Sequence, residues 1–552
     1  MLSNTDTTLR EPPVEAGDML VPPAPVGGKA SVGGRIARAA LVLMAGTILS
    51  RVLGLGREST ISYLFGAQAD VDAFTIANNV ATIVYDLLIA GTVSAALVPV
   101  FSEYAADKER RPEFGRLVSA ILTIAALFLA GSVALLELFA EPLVGFMGAA
   151  YDAPTRLLAL EMTQWVLPAV FFMGLSGVVM AAHYSLGRFV YPAFTSALFN
   201  AAIIFCAFTL AGVLGVKGLV LGMVVGAFAM LALQAPGLRD IPLRPTLDMS
   251  HPAVKRILKL YAPVGLSVIV TSVLLVVDRN LVSQTGVGSI SAMRFATTLI
   301  QFALGLVAAG ISLASLPSLS QHFSKGDSES FKRTLASGLR LVTVLVLPAA
   351  AGLLALATPL VEIFFHHGAF TPEDQQRTVL ALLFYVPGLP FSAIDQVLLF
   401  AFYARKNTLT PALVGIAQVP IYLAVALSTI DTLGMAGLVL AWSVQLAFHA
   451  IVTGYLLVRA MRSEGGLRGY GIVETTLKVA GASVALAIVS YGVWWALEKV
   501  MQPDSLFAEA VLLGVPALAG GALYAVLVWM MRLSEVELIM GKIAGRMGRF
   551  RR

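Results

Sequence analysis

Residues 40–67, ALVLMAGTILSRVLGLGRESTISYLFGA, read as one apolar helix interrupted by three charges, Arg51, Arg57 and Glu58. About 20 apolar residues in a helix cross the ~30 Å of bilayer hydrocarbon, and runs of this kind recur along all 552 residues. Hydrophobic residues make up 58% of the chain, charged residues only 13%, and the mean hydropathy is +0.83, which leaves too little charge to coat a soluble domain of this length. The short alternating strands of an outer-membrane barrel are absent. The reading is an all-α polytopic membrane protein.

Apolar runs set against polar breaks predict about fourteen spans, near 36–64, 71–104, 115–140, 157–184, 190–213, 216–234, 256–282, 289–322, 332–358, 376–404, 410–431, 434–460, 473–498 and 506–531. Loop lysines and arginines gather on one side, in DKERRPEFGR, SLGRF, the 235–255 linker, SKGDSESFKR, ARKN and RAMRSEGGLRG. The connections GAQAD, EPLVGFMGAAYDAP, SQTGVGS and TIDTLG hold none, with Lys217, Arg377 and Lys499 as the main exceptions. The positive-inside rule then predicts a multi-pass protein with both termini cytoplasmic.

An internal repeat organises the spans. HYSLGRFVYPAFTSALFN (His183 to Asn200) matches FYARKNTLTPALVGIAQ (Phe402 to Gln418), and the stretch opening DAFTIANN at Asp72 parallels SAMRFATT at Ser291. Six spans are followed by six of like plan that start on the same side, so the halves are parallel repeats about an axis along the membrane normal. The expected units are a disordered tail 1–34, a six-helix lobe 35–234, a cytoplasmic linker 235–255, a second six-helix lobe 256–461, two further helices in 462–532, and a basic tail 533–552.

An arginine at mid-membrane is costly, so Arg51 and Arg57 are expected to face water or a partner. One reading is a structural ion pair with Asp72 or Glu58. The other is that both line a cavity between the lobes and grip an anion, since a guanidinium fork matches phosphate oxygens. Asp72, Asn78, Asn79 and Asp86 follow in the second span, and Arg294, Thr297 and Thr298 in the eighth. Asp278 and Arg279, ending the seventh, are explained at least as well by solvation at an interface, and Asp395 by a hydrogen bond between helices. Cys206 reads as a packed core residue, and Gly218, Gly222 and Gly226 as a close helix contact. His366 and His367 fall in a predicted outer loop with no further metal ligands at suitable spacing, so no metal site and no cofactor is expected. No Walker, GxSxG or zinc-protease motif occurs, which argues against an ATPase or hydrolase.

LSRVLGLGRE, FGAQADVDAF, LVPVFSEY, GRFVYPAFTSALFN, LPSLSQHFSKGD and FYARKNTLTPA together resemble the MurJ (MviN) family, within the multidrug/oligosaccharidyl-lipid/polysaccharide exporter superfamily. The resemblance implies a lipid II flippase of the inner (plasma) membrane, not an enzyme, that moves an undecaprenyl-diphosphate-linked peptidoglycan precursor by alternating access. It implies that helices thirteen and fourteen form a groove for the lipid tail. It also implies diphosphate-binding roles for Arg51 and Arg57 and matches Asp72 to an acidic motif residue. The substrate-binding set predicted is Arg51, Arg57, Glu58, Asp72, Asn79, Arg294 and Thr298. Thr298 stands where the family usually has an arginine, and Arg294, one turn earlier, is placed to supply that charge. Tyr85, Asp86 and Ala90 replace charged residues of some members. Expected partners are the lipid-linked precursor, membrane lipids, cell-wall synthesis proteins and a counter-ion, with no nucleic acid. The alternatives are a flippase for another polyprenyl-diphosphate glycan, a cation-coupled multidrug antiporter, and a scaffold that transports nothing.

Overall fold

The computed structural model describes residues 29–86, 96–105, 107, 109–501, 503 and 505–533. Ala90, most of the tail 1–34 and residues 534–552 of the basic tail lie outside them.

The first half contains α1 (Lys29–Phe65), α2 (Ala69–Tyr85), α3 (Val98–Ala105), α4 (Arg111–Met147), α5 (Ala153–Ser185), α6 (Val190–Leu214) and α7 (Lys217–Gln234). After a 3-10 turn at Ala235–Leu238 and an irregular linker comes α8 (Pro252–Ser283). Then follow α9 (Ser289–Ser324), α10 (Ser328–Ala355), α11 (Ala357–Phe365), α12 (Pro372–Tyr385), α13 (Leu389–Ala404), α14 (Leu409–Leu433) and α15 (Met435–Ala460). Two last helices, α16 (Ile472–Glu498) and α17 (Leu506–Met530), complete the chain described. Residues 29–34, placed in the tail by the sequence reading, are helical, because a ladder once nucleated extends at little cost.

Packing falls into two groups. α1 lies on α6, α6 on α7, and α2, α4 and α7 on α5; in the second half α9 packs on α10, α12 and α13, and α15 on α12, α13 and α14. α8 touches both groups, meeting α4 on one side and α9, α14 and α15 on the other. α16 lies on α10, and α17 on α16 and α11. Ten helices among the described residues are long and apolar enough to cross a membrane. The other expected spans correspond to α1, α2–α3, α8 and α9.

The repeat is visible in the backbone. After α5 and after α13 the chain turns through one left-handed residue, Gly187 (φ 69°) and Lys406 (φ 57°). In each turn the next N–H reaches back to the same relative carbonyl, Arg188 to His183 at 2.9 Å and Asn407 to Phe402 at 3.0 Å, a Schellman closure of the helix. Positions that the repeat makes equivalent also meet between the two halves. Ser291 Oγ donates to Asp72 Oδ1 at 2.5 Å, and Arg294 Nη1 donates to Thr75 Oγ1 at 3.3 Å. An axis passing through them requires this, because a residue near a two-fold meets its own mate.

Local chemistry explains the breaks. Pro387 interrupts the tenth span, splitting it into α12 and α13 around a 3-10 turn at Val386–Gly388. Ser443 Oγ donates to the Phe384 carbonyl at 2.7 Å, satisfying a group that water cannot reach there. The ninth span also ends earlier than expected: α10 stops at Ala355, and α11 is a separate short helix. Along α7, a Cβ at Gly222 would sit 2.8 Å from Ile203 Cα and one at Gly226 2.9 Å from Phe199 Cδ2, so the glycines let α6 approach, and buried Cys206 packs beside them. The stripe Val473, Leu477, Val484, Ile488, Tyr491 and Trp495 on α16 is exposed at i, i+4, i+7 spacing, as a lipid-facing surface should be.

Each of the three exceptions to the charge asymmetry has a local partner. Lys217 pairs with Glu161 at 2.7 Å, Arg377 with Glu373 at 2.6 Å, and the Lys499 ammonium sits 3.2 Å from the centre of the Trp495 ring.

Candidate functional site

Between the two packing groups lies a cavity of about 640 Å³. Its wall begins near Leu43 and climbs α1 through Gly46, Ser50, Arg51 and Gly54 to Arg57 and Glu58, roughly four turns or ~22 Å. α2 contributes Thr75, Asn78 and Asn79, and α9 contributes Arg294, Thr297, Thr298 and Gln301. Tyr184 from α5, Asn200 from α6 and Arg279 from α8 complete the polar lining. Four arginines and one glutamate line it, so its charged side chains leave an excess of positive charge.

Glu58 is the hub. Its side chain is 1% exposed and takes two guanidinium groups at once. Arg57 Nη2 donates to Oε1 at 2.5 Å and Nε at 3.0 Å, while Arg57 Nη1 donates to Asn200 Oδ1 at 3.0 Å. From α9, Arg294 donates through Nε to Oε2 at 2.8 Å and through Nη2 to Oε1 at 2.9 Å. The Arg294 guanidinium also lies over the Phe74 ring, 4.9 Å from its centre. A buried carboxylate is tolerable only when paired and hydrogen-bonded, and here one anion serves two cations from different halves of the molecule. Arg51, two turns below, is exposed to the cavity and has no carboxylate partner among the described residues.

Of the seven predicted residues, the structure brings Arg51, Arg57, Glu58, Asn79, Arg294 and Thr298 to this one wall. The ion-pair reading of Arg57 also holds, with Glu58 and not Asp72 as partner. Asp72 is not brought to the cavity. Buried completely, it accepts from Tyr151 Oη at 2.8 Å and Gly288 N at 2.6 Å through Oδ2, and from Ser291 N at 2.8 Å and Oγ at 2.5 Å through Oδ1. It latches the start of α2 to the start of α9 at the end of the bundle expected to face out. The same end carries Ala369 N donating to the Tyr63 carbonyl at 2.8 Å and Ala67 N donating to Asp374 Oδ2 at 3.3 Å. A Cβ at Gly66 or Gly288 would fall 2.6 Å from Ala369 O or 2.4 Å from Ala67 O, and both glycines have positive φ, so neither tolerates a side chain. The physical reason for Asp72's placement is the start of α9, whose cap and first-turn N–H groups, Gly288 N and Ser291 N, have no acceptor within their own helix and converge on this carboxylate.

Sequence reasoning passed over Arg279, which lines the cavity. Its signal was a second arginine beside an aspartate near a span end, which solvation explained equally well. Asp395 makes its expected helix-to-helix contact, with His449 Nδ1 at 2.8 Å. His367 pairs with Glu509 of α17 at 3.1 Å. Among the described residues no cluster suited to a metal ion is present.

Arranged in this way, the wall can bind an anion with several acceptor oxygens, reached first by Arg51 and then by the Arg57–Glu58–Arg294 group. The sequence profile of a family described as "Lipid II flippase MurJ" matches residues 61–513. A protein of Vibrio cholerae serotype O1 named "Probable lipid II flippase MurJ" is 30% identical over 85% of this chain and 91% of its own length. The "Lipid II flippase MurJ" of Burkholderia cenocepacia is 29% identical over 82% of this chain and 88% of its own. Among solved structures, a lipid II flippase MurJ in an inward closed conformation matches with a TM-score of 0.73 at 23% identity, over 89% of this chain and 98% of that one. An inward-facing multidrug resistance MATE family transporter of the MOP superfamily matches at 0.66 and 16% identity, over 77% and 98%. At such identities these structures speak to the fold alone.

Proposed function

This chain belongs to the lipid II flippase MurJ family, and from that premise we propose that it carries lipid II, the undecaprenyl-diphosphate-linked peptidoglycan precursor, from the inner to the outer leaflet of the plasma membrane, holding the diphosphate with Arg51, Arg57 and Arg294. Both termini are then cytoplasmic, and residues 35–234 and 256–461 act as two lobes that rock about the cavity. No bond is made or broken, so the chain is a transporter.

The headgroup cannot cross hydrocarbon unaided, because its charges and hydroxyls would lose their water. A cavity latched at the outer end through Asp72 and Asp374 admits the headgroup from the inner side, while the lipid tail stays in the bilayer against α16 and α17. Arg51, which has no protein carboxylate, meets the phosphates first. Higher up, phosphate oxygens compete with Glu58 for Arg57 and Arg294, weakening a contact that joins α1 to α9. Binding therefore favours a different arrangement of the lobes, as a ligand must if it is to shift a conformational equilibrium. An inside-negative potential helps outward movement of anionic charge by ~2.3 kcal/mol per charge per 100 mV.

The observation that carries this reading is the single buried carboxylate shared by two arginines, with a third arginine free in the same cavity. A structural ion-pair network matches cation to anion, and this wall does not. The test is rescue of a strain deprived of its own lipid II flippase. Wild type should restore growth, Arg51→Lys should restore it in part, and Arg51→Ala should fail while remaining in the membrane. Rescue by Arg51→Ala as good as wild type removes the anion grip. Failure of the wild type itself favours another polyprenyl-diphosphate glycan as substrate.

A further inference from the structure

Arg279 stands out among the charged groups of the cavity because it is largely buried and yet poorly paired. It is carried near the end of α8, the helix that touches both packing groups, and its side chain is 17% exposed. Its neighbour Asp278 does not satisfy it. The Nη1-to-Oδ2 distance is 3.5 Å, too long for a sound N–H···O bond, and Asp278 Oδ1 already accepts from the Tyr422 hydroxyl. Arg279 Nε and Nη1 are buried and make no hydrogen bond among the described residues. A buried donor left without an acceptor is costly, the more so when the group is charged, so two such donors on one guanidinium call for an acceptor. Asn79 Nδ2, on the same cavity wall, is likewise buried and unsatisfied. Asp278 Oδ2, 3.5 Å from Nη1, is too far to take these donors in a sound hydrogen bond, while Arg279 and Asn79 both line a cavity that has room for an anion.

We propose that Arg279 is a fourth anion-binding guanidinium, whose unused donors take oxygens of a diphosphate and thereby select a diphosphate headgroup over a monophosphate one. This rests on the reading of the cavity as a lipid-diphosphate site and adds to it the residue that counts phosphates. Arg51, Arg57 and Arg294 supply general attraction for any phosphorylated lipid. Arg279, on a different helix, lines the same cavity, so an anion that touches it as well as Arg57 and Arg294 must reach across to α8. Asp278 tethers the guanidinium electrostatically while leaving its hydrogen bonds open.

The experiment uses the full chain in lipid nanodiscs and measures binding of undecaprenyl diphosphate and undecaprenyl phosphate, with inorganic diphosphate as competitor. Arg279→Gln should weaken undecaprenyl diphosphate by about tenfold or more, the worth of one charge-assisted hydrogen bond, and undecaprenyl phosphate by less than about threefold. Arg279→Lys should recover part of the loss, which a purely packing role would not predict. Competition by inorganic diphosphate that also weakens in Arg279→Gln places recognition in the phosphates alone. If inorganic diphosphate does not compete but the lipid preference holds, recognition belongs to the lipid-anchored diphosphate, and either result supports the proposal. Equal loss of both lipids, or loss of neither, overturns it. Should the glutamine variant not fold, Asp278→Asn carries the test: removing the tethering charge should tighten diphosphate binding by about threefold or more, and unchanged or weaker binding overturns the proposal. A wild type that binds neither lipid sinks the flippase reading itself, a separate outcome.

Discussion

Replacing Asp72 by asparagine should loosen the outer latch without disturbing the cavity. The carboxylate takes backbone N–H groups on both oxygens, Gly288 N at 2.6 Å on Oδ2 and Ser291 N at 2.8 Å on Oδ1. The hydroxyls of Tyr151 and Ser291 can rotate to accept from an amide; the two backbone groups cannot. In either orientation, therefore, the asparagine NH₂ faces one backbone donor and orphans it, at about 1–3 kcal/mol. Loss of charge assistance on the remaining bonds is offset in part by the cheaper burial of a neutral amide, giving a net near 2 kcal/mol, or roughly thirtyfold in the latch equilibrium. A latch closed about 99% of the time would then stand open in roughly a quarter of molecules. Spin labels at exposed Asp70 and Val287, read by pulsed electron resonance, should show one short distance in wild type and a second, longer population in Asp72→Asn. Ser291→Ala removes one hydroxyl bond and leaves both backbone donors paired, so it should give a smaller shift. A distance distribution in Asp72→Asn identical to wild type would refute the claim that Asp72 holds the outer end shut.

Three further outcomes are expected. Arg57→Ala and Arg294→Ala should each cost less thermal stability than half of the double variant, because only the pair strands Glu58 as a buried uncompensated charge, at about 3–5 kcal/mol; additive losses in thermal unfolding would contradict the shared-carboxylate geometry. In the linker, Asp240 accepts from Arg188 at 2.5 and 2.6 Å and from Arg111 at 3.1 Å, which hold its carboxyl down at about 2. Its folded value lies below the unfolded one, so its contribution is complete above about pH 4 and is lost as pH falls towards 2; proteolysis of the 235–255 linker should rise over that window in wild type, and Asp240→Asn should flatten the change. Gly222→Leu, whose Cβ alone would meet Ile203 Cα at 2.8 Å, should destabilise the α6–α7 contact by at least about 1–3 kcal/mol, whereas Gly212→Leu, with nothing within 4 Å of its Cβ, should be close to neutral in the same melt.

Much of the site was legible because charge inside an apolar helix is conspicuous. Arg51, Arg57, Glu58 and Arg294 could be picked out since nothing else in their spans explains a cost of several kcal/mol. Asn79 followed from helical spacing, and Thr298 from the resemblance to a family that usually has an arginine at its position. Arg279 was not separable from a solvated span end, because the distinction between the two depends on which way α8 is rotated. Asp72 was named with the substrate-binding set, and the structure places it against the 288–291 turn, a meeting its sequence context cannot reveal because the turn lies more than two hundred residues away.

By itself the sequence determined the class of fold and its internal order. Hydrophobic run length dictates helices that cross a bilayer, loop charge dictates their alternation, and the matched turns at Gly187 and Lys406 reveal a duplicated plan, all of which are local or periodic properties. Only the tertiary structure decided that Arg57 and Arg294 share Glu58, that Asp72 seals one end, and that Arg279 keeps donors unspent. Those facts concern the rotation of helices about their own axes and the meeting of equivalent positions at a two-fold, and spacing along one chain does not encode the partner that arrives from the other half.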